Sequence, residues 1–159
     1  MATYRLGNPN GVYPIYSGAG AAKYPGRWNS AGFRVIYTAE RYSTALLETL
    51  ILVNFILPKS MHWIGVCIPA GTSYEVFPTT ESAAGRSAGR SAGRGASERF
   101  CKSYGDAWLK GRRSALLFVP SIAAHIERNV LINPDHPDAM SFAPSPPEPV
   151  VWGGRLFCP

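Results

Sequence analysis

Apolar residues follow two rhythms along this chain. One is the short, β-branched and aromatic run of a strand. Phe33 to Thr38 (Phe-Arg-Val-Ile-Tyr-Thr) has it, and so do Trp63 to Ile68, Ser114 to Val119 and Asn129 to Ile132. Pro69-Ala70-Gly71 turns the chain after the second run, with Ser73 to Phe77 placed to return as its hairpin partner. Val150 to Phe157 predicts a last, edge strand after the extended, proline-rich Pro144 to Pro149. The other rhythm is helical. Ser97 to Lys110 sets Phe100, Tyr104, Ala107 and Trp108 or Leu109 on one face, and Gly111 stops it.

Ser43 to Phe55 predicts a buried helix, with Ser43 as N-cap and Pro58 beyond its end. Glu48 is its single ionisable group, with Thr44, Ala45, Ile51, Leu52 and Phe55 as helical neighbours. A carboxylate on such a face loses hydration, at a cost of several kcal/mol unless it is paired or hydrogen-bonded. Either the protein satisfies Glu48, or the acid awaits a ligand.

Between these elements lie loops. Met1 to Lys23 is broken by Gly7, Pro9, Gly11 and Pro14, leaving at most a short strand at Tyr13 to Tyr16. Gly26-Arg27-Trp28-Asn29-Ser30-Ala31-Gly32 sets an arginine, an aromatic and an amide between glycines. The planar fork of Arg27 suits a phosphate, and equally a stack on Trp28 or a turn cap. A four-residue repeat, Ala-Gly-Arg-Ser, fills a flexible exposed loop at about 82–96. Asp135-His136-Pro137-Asp138 reads as a turn; prolines between neighbouring ligands make a poor metal site. Strands and helices do not alternate regularly, which predicts an α+β domain with a strongly bent antiparallel or mixed sheet and a central helix packed on it.

Composition narrows the class. The 159 residues are 46% hydrophobic, enough for one domain with a core, and no run reaches the ~18 apolar residues of a membrane helix. The N-terminus lacks the apolar core of a signal peptide. Cys67, Cys101 and Cys158 form neither a metal spacing nor a disulfide framework and read as reduced core thiols, so a cytoplasmic location is expected. Arg86, Arg90 and Arg94 of the repeat supply three of the formal +6 charges, and what remains is ordinary for a small domain.

Arg27 precedes a strand, Glu48 interrupts a helix and Ser121 follows a strand, while Tyr37 and Asn133 stand at strand ends. Side chains so placed can converge on one cleft. The segments Gly26–Gly32, Val35–Ala39, Ala45–Glu48, Gly105–Leu109, Val119–Ser121 and Asn129–Pro134, in this order, resemble the RES domain, a family named for an arginine, a glutamate and a serine. The resemblance runs from about Tyr4 to Leu156, and implies one RES-type domain over 1–159. Trp152-Gly153-Gly154-Arg155-Leu156 departs from the family in lacking an aspartate before Arg-Leu.

The resemblance implies an ADP-ribosyltransferase-like fold and a toxin of a bacterial type II toxin–antitoxin pair that depletes NAD. It implies a cognate Xre-type DNA-binding antitoxin that covers the active site. A homodimer within that complex is among the arrangements it allows; no direct DNA binding, membrane contact or metal is expected. NAD is then substrate, not cofactor. Carried over by motif, Arg27, Tyr37, Glu48 and Ser121 are the expected catalytic set, and Arg27, Asn29, Tyr37 and Asn133 the expected NAD contacts. In this reading Ser121 positions ribose or the nicotinamide amide. Transfer of ADP-ribose to a protein would use the same donor site. The basic charge with Trp28, Tyr37 and His125 also allows an RNA-binding or ribonuclease module, but His62 and His125 lie in no recognisable motif. A domain that keeps the fold and only binds partners would not need Arg27, Glu48 and Ser121 together.

Overall fold

The computed structural model describes residues 1–56, 60–78 and 93–153, with 93–97 described by backbone alone. The two strongest apolar runs form the centre of the fold. β5 (Leu116–Pro120) and β6 (Arg128–Ile132) pair antiparallel, with Leu117 opposite Leu131 and Phe118 opposite Val130. Their side chains alternate between two cores, as a period of two requires. Leu116, Phe118, Val130 and Ile132 join Ile36, Ile64 and Val66 on one face. Leu117, Val119 and Leu131 join Trp28, Val35, Phe77, Trp108 and Leu109 on the other. Burial on both faces explains why these strands read as continuous apolar runs rather than as alternating ones.

β6 pairs with β2 (Ile36–Ala39), β2 with β1 (Ala2–Gly7), and β1 with β3 (His62–Cys67), all antiparallel. β4 (Tyr74–Val76) closes the other end. It runs parallel to β5 and is therefore not the hairpin return of β3 that the turn after Ile68 suggests. The order is β4-β5-β6-β2-β1-β3-β7, where β7 is Ala143–Pro144, and β8 (Glu148–Pro149) also pairs β3. The proline-rich stretch thus supplies the two short edge pairings. Val150 to Gly153 is not a strand, and the rest of the expected last strand, with Cys158, lies outside the described residues.

Among the described residues three α-helices pack on this mixed sheet: α1 (Ala19–Lys23), α2 (Tyr42–Leu52) and α3 (Gly93–Gly111). α3 fills one core with Trp108 and Leu109, and the Trp108 indole donates to Ser114 Oγ at 2.8 Å. Its backbone already begins at Gly93, inside the stretch expected as loop; the repeat before it, at 82–92, lies outside the described residues.

α2 corrects the expectation of a buried helix. Thr44, Ala45 and Leu50 are buried, but Leu47, Ile51 and Leu52 are exposed, and Phe55 and Ile56 beyond them are too. Arg41, not Ser43, precedes the first turn, and no side chain caps it. The helix stops before Pro58 through Asn54 and Phe55, both left-handed at φ 50° and 59°, with Phe55 N–H donating to Leu50 C=O at 2.8 Å. Cys101 is buried as expected, whereas Cys67 at the end of β3 is exposed.

Candidate active site

The middle strands and α2 enclose a cavity of about 570 Å³. This is within the range of small-molecule sites. Arg5 of β1, Tyr37 of β2, Glu48 of α2, Arg27 of the preceding loop and Asn129 of β6 all face it. Three residues singled out in the sequence, Arg27, Tyr37 and Glu48, are thereby brought to one space.

Glu48 is held by one of its two oxygens. Oε1 accepts from Ser121 Oγ at 2.7 Å, Asn129 Nδ2 at 2.7 Å, Ile122 N–H at 3.1 Å and, at the limit of hydrogen bonding, Ala123 N–H at 3.5 Å. These donors come from the end of β5, the turn after it and the start of β6, so α2 is tied to the sheet through this carboxylate. Ser121 is itself fixed: its Oγ accepts from Ala124 N–H at 3.0 Å, and its own N–H donates to Glu127 C=O at 3.0 Å. Among the described residues no hydrogen bond reaches Oε2, and Glu48 lines the cavity. The costly acid of the sequence is thus satisfied through one oxygen.

The loop that carries Arg27 is built around Asn29. Its side chain is fully buried; Oδ1 accepts from Gly26 N–H at 3.0 Å and from Tyr37 Oη at 2.8 Å, while Nδ2 donates to Ala21 C=O at 2.8 Å. Tyr37 Oη in turn accepts from Trp28 N–H at 3.1 Å. Burial raises the Tyr37 phenol to about 12, opposed by its bond to Trp28. Its hydroxyl is committed to the loop, which leaves the ring as its contribution to the cavity wall. Gly26 has to be glycine, because a Cβ there would lie 2.5 Å from Tyr37 Oη.

α3 clamps the same loop from outside. Asp106 accepts from Ser30 N–H at 2.7 Å and from Ser30 Oγ at 2.6 Å. The approach is close enough that a Cβ on Gly105 would fall 1.9 Å from Trp28 C=O. The Gly105-Asp106 pair therefore sets where the loop sits, and so where Arg27 emerges.

The remaining sequence candidates are placed otherwise. Ser121 is buried behind Glu48 and does not line the cavity. Asn29 is inside the loop, not on the wall. Asn133 follows β6 at the end opposite Asn129. It is buried, its Oδ1 accepts from Asp135 N–H at 3.1 Å, and it is not part of the cavity. His136 and Asp138 form a turn: Asp138 accepts from Ser73 N–H and Oγ, with its carboxyl held below the usual range by those bonds. Among the described residues no group of three or more His, Cys, Asp or Glu could hold a metal.

Sequence reasoning missed three participants. Asn129 opens the Asn-Val-Leu-Ile-Asn-Pro segment, but its contact with Glu48 spans 81 positions and has no local signature. Asp106 stood inside a matched segment without an assigned task. Arg5 lies in β1, a central strand hidden by its mixed composition.

The site is a cavity in an antiparallel-rich sheet with a glutamate held by four donors and a clamped arginine loop, and comparison places the chain within a family. The RES domain profile matches residues 2–153, and this chain belongs to that family. It is 36% identical over 124 residues to the Prs ADP-ribosylating toxin of Sphingobium sp., covering 77% of this chain and 74% of that protein. It is 30% identical over 155 residues to the Toxin Res of Yersinia enterocolitica, covering 86% of each. Its fold matches a chain in the crystal structure of the M. tuberculosis MbcT–MbcA toxin–antitoxin complex at a TM-score of 0.68 and 15% identity, over 94% of this chain and 84% of that one. The expected α+β fold with a bent mixed sheet is the one observed. Among the described residues no helix is long and apolar enough to cross a membrane.

Proposed function

We propose that this RES-domain protein is the toxin of a toxin–antitoxin pair and acts on NAD by cleaving the nicotinamide–ribose bond. The observation that carries this reading is Glu48: one oxygen is fixed by Ser121, Asn129 and the turn after β5, while the residue lines the cavity. The names of the Sphingobium and Yersinia relatives support the toxin assignment, and the former supports an ADP-ribosyl chemistry.

Nicotinamide leaves NAD as a neutral molecule from a cationic pyridinium, so the site needs no general acid. It has to bind the diphosphate, exclude bulk water and favour an oxocarbenium-like ribose. Glu48 accepts from a ribose hydroxyl and stabilises the positive charge that develops on the sugar. Arg27 holds a phosphate oxygen through a charge-assisted bond. The ring of Tyr37 supports the ligand as an apolar wall. Ser121 and Asn129 are positioning residues that act through Glu48, and Asn29 and Asp106 act through the Arg27 loop. This reassigns Ser121 and Asn29, because neither reaches the cavity.

The acceptor is water or phosphate in the principal reading and a protein side chain in the second, which the name of the Sphingobium relative favours. Incubation with NAD labelled in its ADP-ribose part, with and without candidate proteins, separates them. Free labelled ADP-ribose or its phosphate supports degradation, a labelled protein supports transfer, and intact NAD rejects both.

An antitoxin partner, of the Xre type implied by the family, fits the exposed apolar ridge of Leu47, Ile51, Leu52, Phe55 and Ile56. Leu52 also lines the cavity, so a chain seated on that ridge stands at the entrance.

A further inference from the structure

Arg5 is a cation that the cavity holds without a counter-ion among the described residues. It sits in β1 between β2 and β3, faces the cavity, and is partly buried with Nη1 shielded from solvent and without a hydrogen-bond partner. The ion pairs among the described residues involve Arg34, Arg41, Arg113, Arg128 and His136, and Arg5 joins none of them. Burial lowers its pKa to about 10, with the neighbouring Tyr37 phenol acting in the opposite direction. A desolvated guanidinium with no carboxylate destabilises the fold that contains it, and the usual solutions are an ion pair or a ligand anion. Its planar fork matches phosphate oxygens.

Among the described residues, Arg27 and Arg5 are the two cations that line this cavity. Arg5 and Tyr37 stand on the paired strands β1 and β2 and both line the cavity, and Tyr37 Oη contacts the Arg27 loop at Trp28 N–H. Two guanidinium groups lining one cavity suit a ligand with two linked anionic groups. We propose that Arg5 is a second anion-holding residue and takes a phosphate oxygen of a diphosphate-bearing nucleotide. The nucleotide part of this proposal rests on the NAD reading above; the anion part rests on Arg5 and its surroundings.

The test uses the full chain and three probes at fixed ionic strength: ADP-ribose, adenosine and inorganic pyrophosphate, titrated calorimetrically. Arg5→Met removes the charge at similar volume. It is expected to fold with an unchanged or higher Tm, because the charge it removes has no partner. ADP-ribose and pyrophosphate should bind about tenfold to a hundredfold more weakly, the scale of one charge-assisted bond, with adenosine unaffected. Unchanged ADP-ribose and pyrophosphate affinity, or an equal loss for adenosine, would overturn the proposal. Should Arg5→Met not fold, Arg5→Gln decides, since it removes the charge but keeps a polar side chain of similar reach. Weaker ADP-ribose binding with adenosine unchanged supports an anion contact, and no change refutes it. Wild-type binding of pyrophosphate without ADP-ribose would reject the NAD reading and leave the anion site standing if Arg5→Met weakens it. Binding of none of these anions rejects both.

Discussion

The clamp between α3 and the arginine loop makes a quantitative prediction that needs no substrate. Asp106 accepts two bonds from one residue, Ser30 N–H and Ser30 Oγ. Hydrogen bonds to a charged group contribute about 1.5–3 kcal/mol each, and a partner left buried and unpaired adds to the loss. Ser30→Ala removes the Oγ bond alone and should cost about 1–2 kcal/mol. Asp106→Ala removes both and leaves the Ser30 N–H without its acceptor, for about 2–4 kcal/mol. The double variant should cost little more than Asp106→Ala, because the hydroxyl has nothing to bond once the carboxylate is gone. Urea unfolding of the four proteins gives the coupling energy directly, and Tm should fall by about 2–4 °C per kcal/mol for a domain of this size. The loss should also loosen the loop that aims Arg27, and misplacement on the ångström scale costs about a hundredfold in rate. Additive effects of the two substitutions, or an Asp106→Ala protein as stable as the parent, would refute the clamp.

Three further outcomes follow from other parts of the site. The Tyr37 phenol is raised to about 12 by burial, against about 10 in an unfolded chain. Its contribution is therefore complete below pH 10 and is lost as pH rises towards 12, by about 2–3 kcal/mol; alkaline unfolding of Tyr37→Phe should lack that component, and an identical alkaline profile would contradict it. Asn129→Ala removes the 2.7 Å donor to Glu48 but no ligand contact assigned above, so it should lower kcat for NAD loss about tenfold to a hundredfold with KM little changed; a change confined to KM would argue for direct substrate contact instead. Phe55→Asn suits the left-handed φ of 59° and deletes an exposed ring, so stability should hold or rise slightly while affinity for the cognate antitoxin falls at least tenfold; unchanged affinity would remove the ridge from the interface.

Much of the fold was legible where burial and propensity agree. β5 and β6 are apolar on both faces and could be read directly. β1 could not, because Thr3, Tyr4 and Arg5 interrupt its pattern; Thr3 is fully buried between strands, and Arg5 meets the cavity rather than solvent. α2 misled in the opposite sense. Its apolar residues exceed what the sheet can cover, so the surplus is exposed at Leu47, Ile51 and Leu52. β4 was readable as a strand but not as a parallel partner of β5, since that pairing depends on a long return through α3.

For the site, residue types at element ends pointed to Arg27, Tyr37 and Glu48, and the structure brings these to one cavity. What remained hidden was the division of labour. A serine after a strand and an asparagine in a glycine loop look alike in sequence whether they touch a ligand or a neighbour. Only the bonds of Ser121 to Glu48 and of Asn29 to Tyr37 separate the two. Asn133, expected to touch the ligand, stands at the end of β6 opposite Asn129, and only Asn129 lines the cavity.

Glu48→Gln on the purified protein tests the central claim most directly. The amide oxygen can still accept from Ser121, Asn129 and Ile122, so the tie between α2 and the sheet is kept. The second oxygen is replaced by an NH₂ that cannot accept a ribose hydroxyl or oppose a positive charge. NAD loss and nicotinamide release should fall by ~10²–10³ or more at an unchanged Tm. Nicotinamide release by folded Glu48→Gln at the wild-type rate would contradict the account.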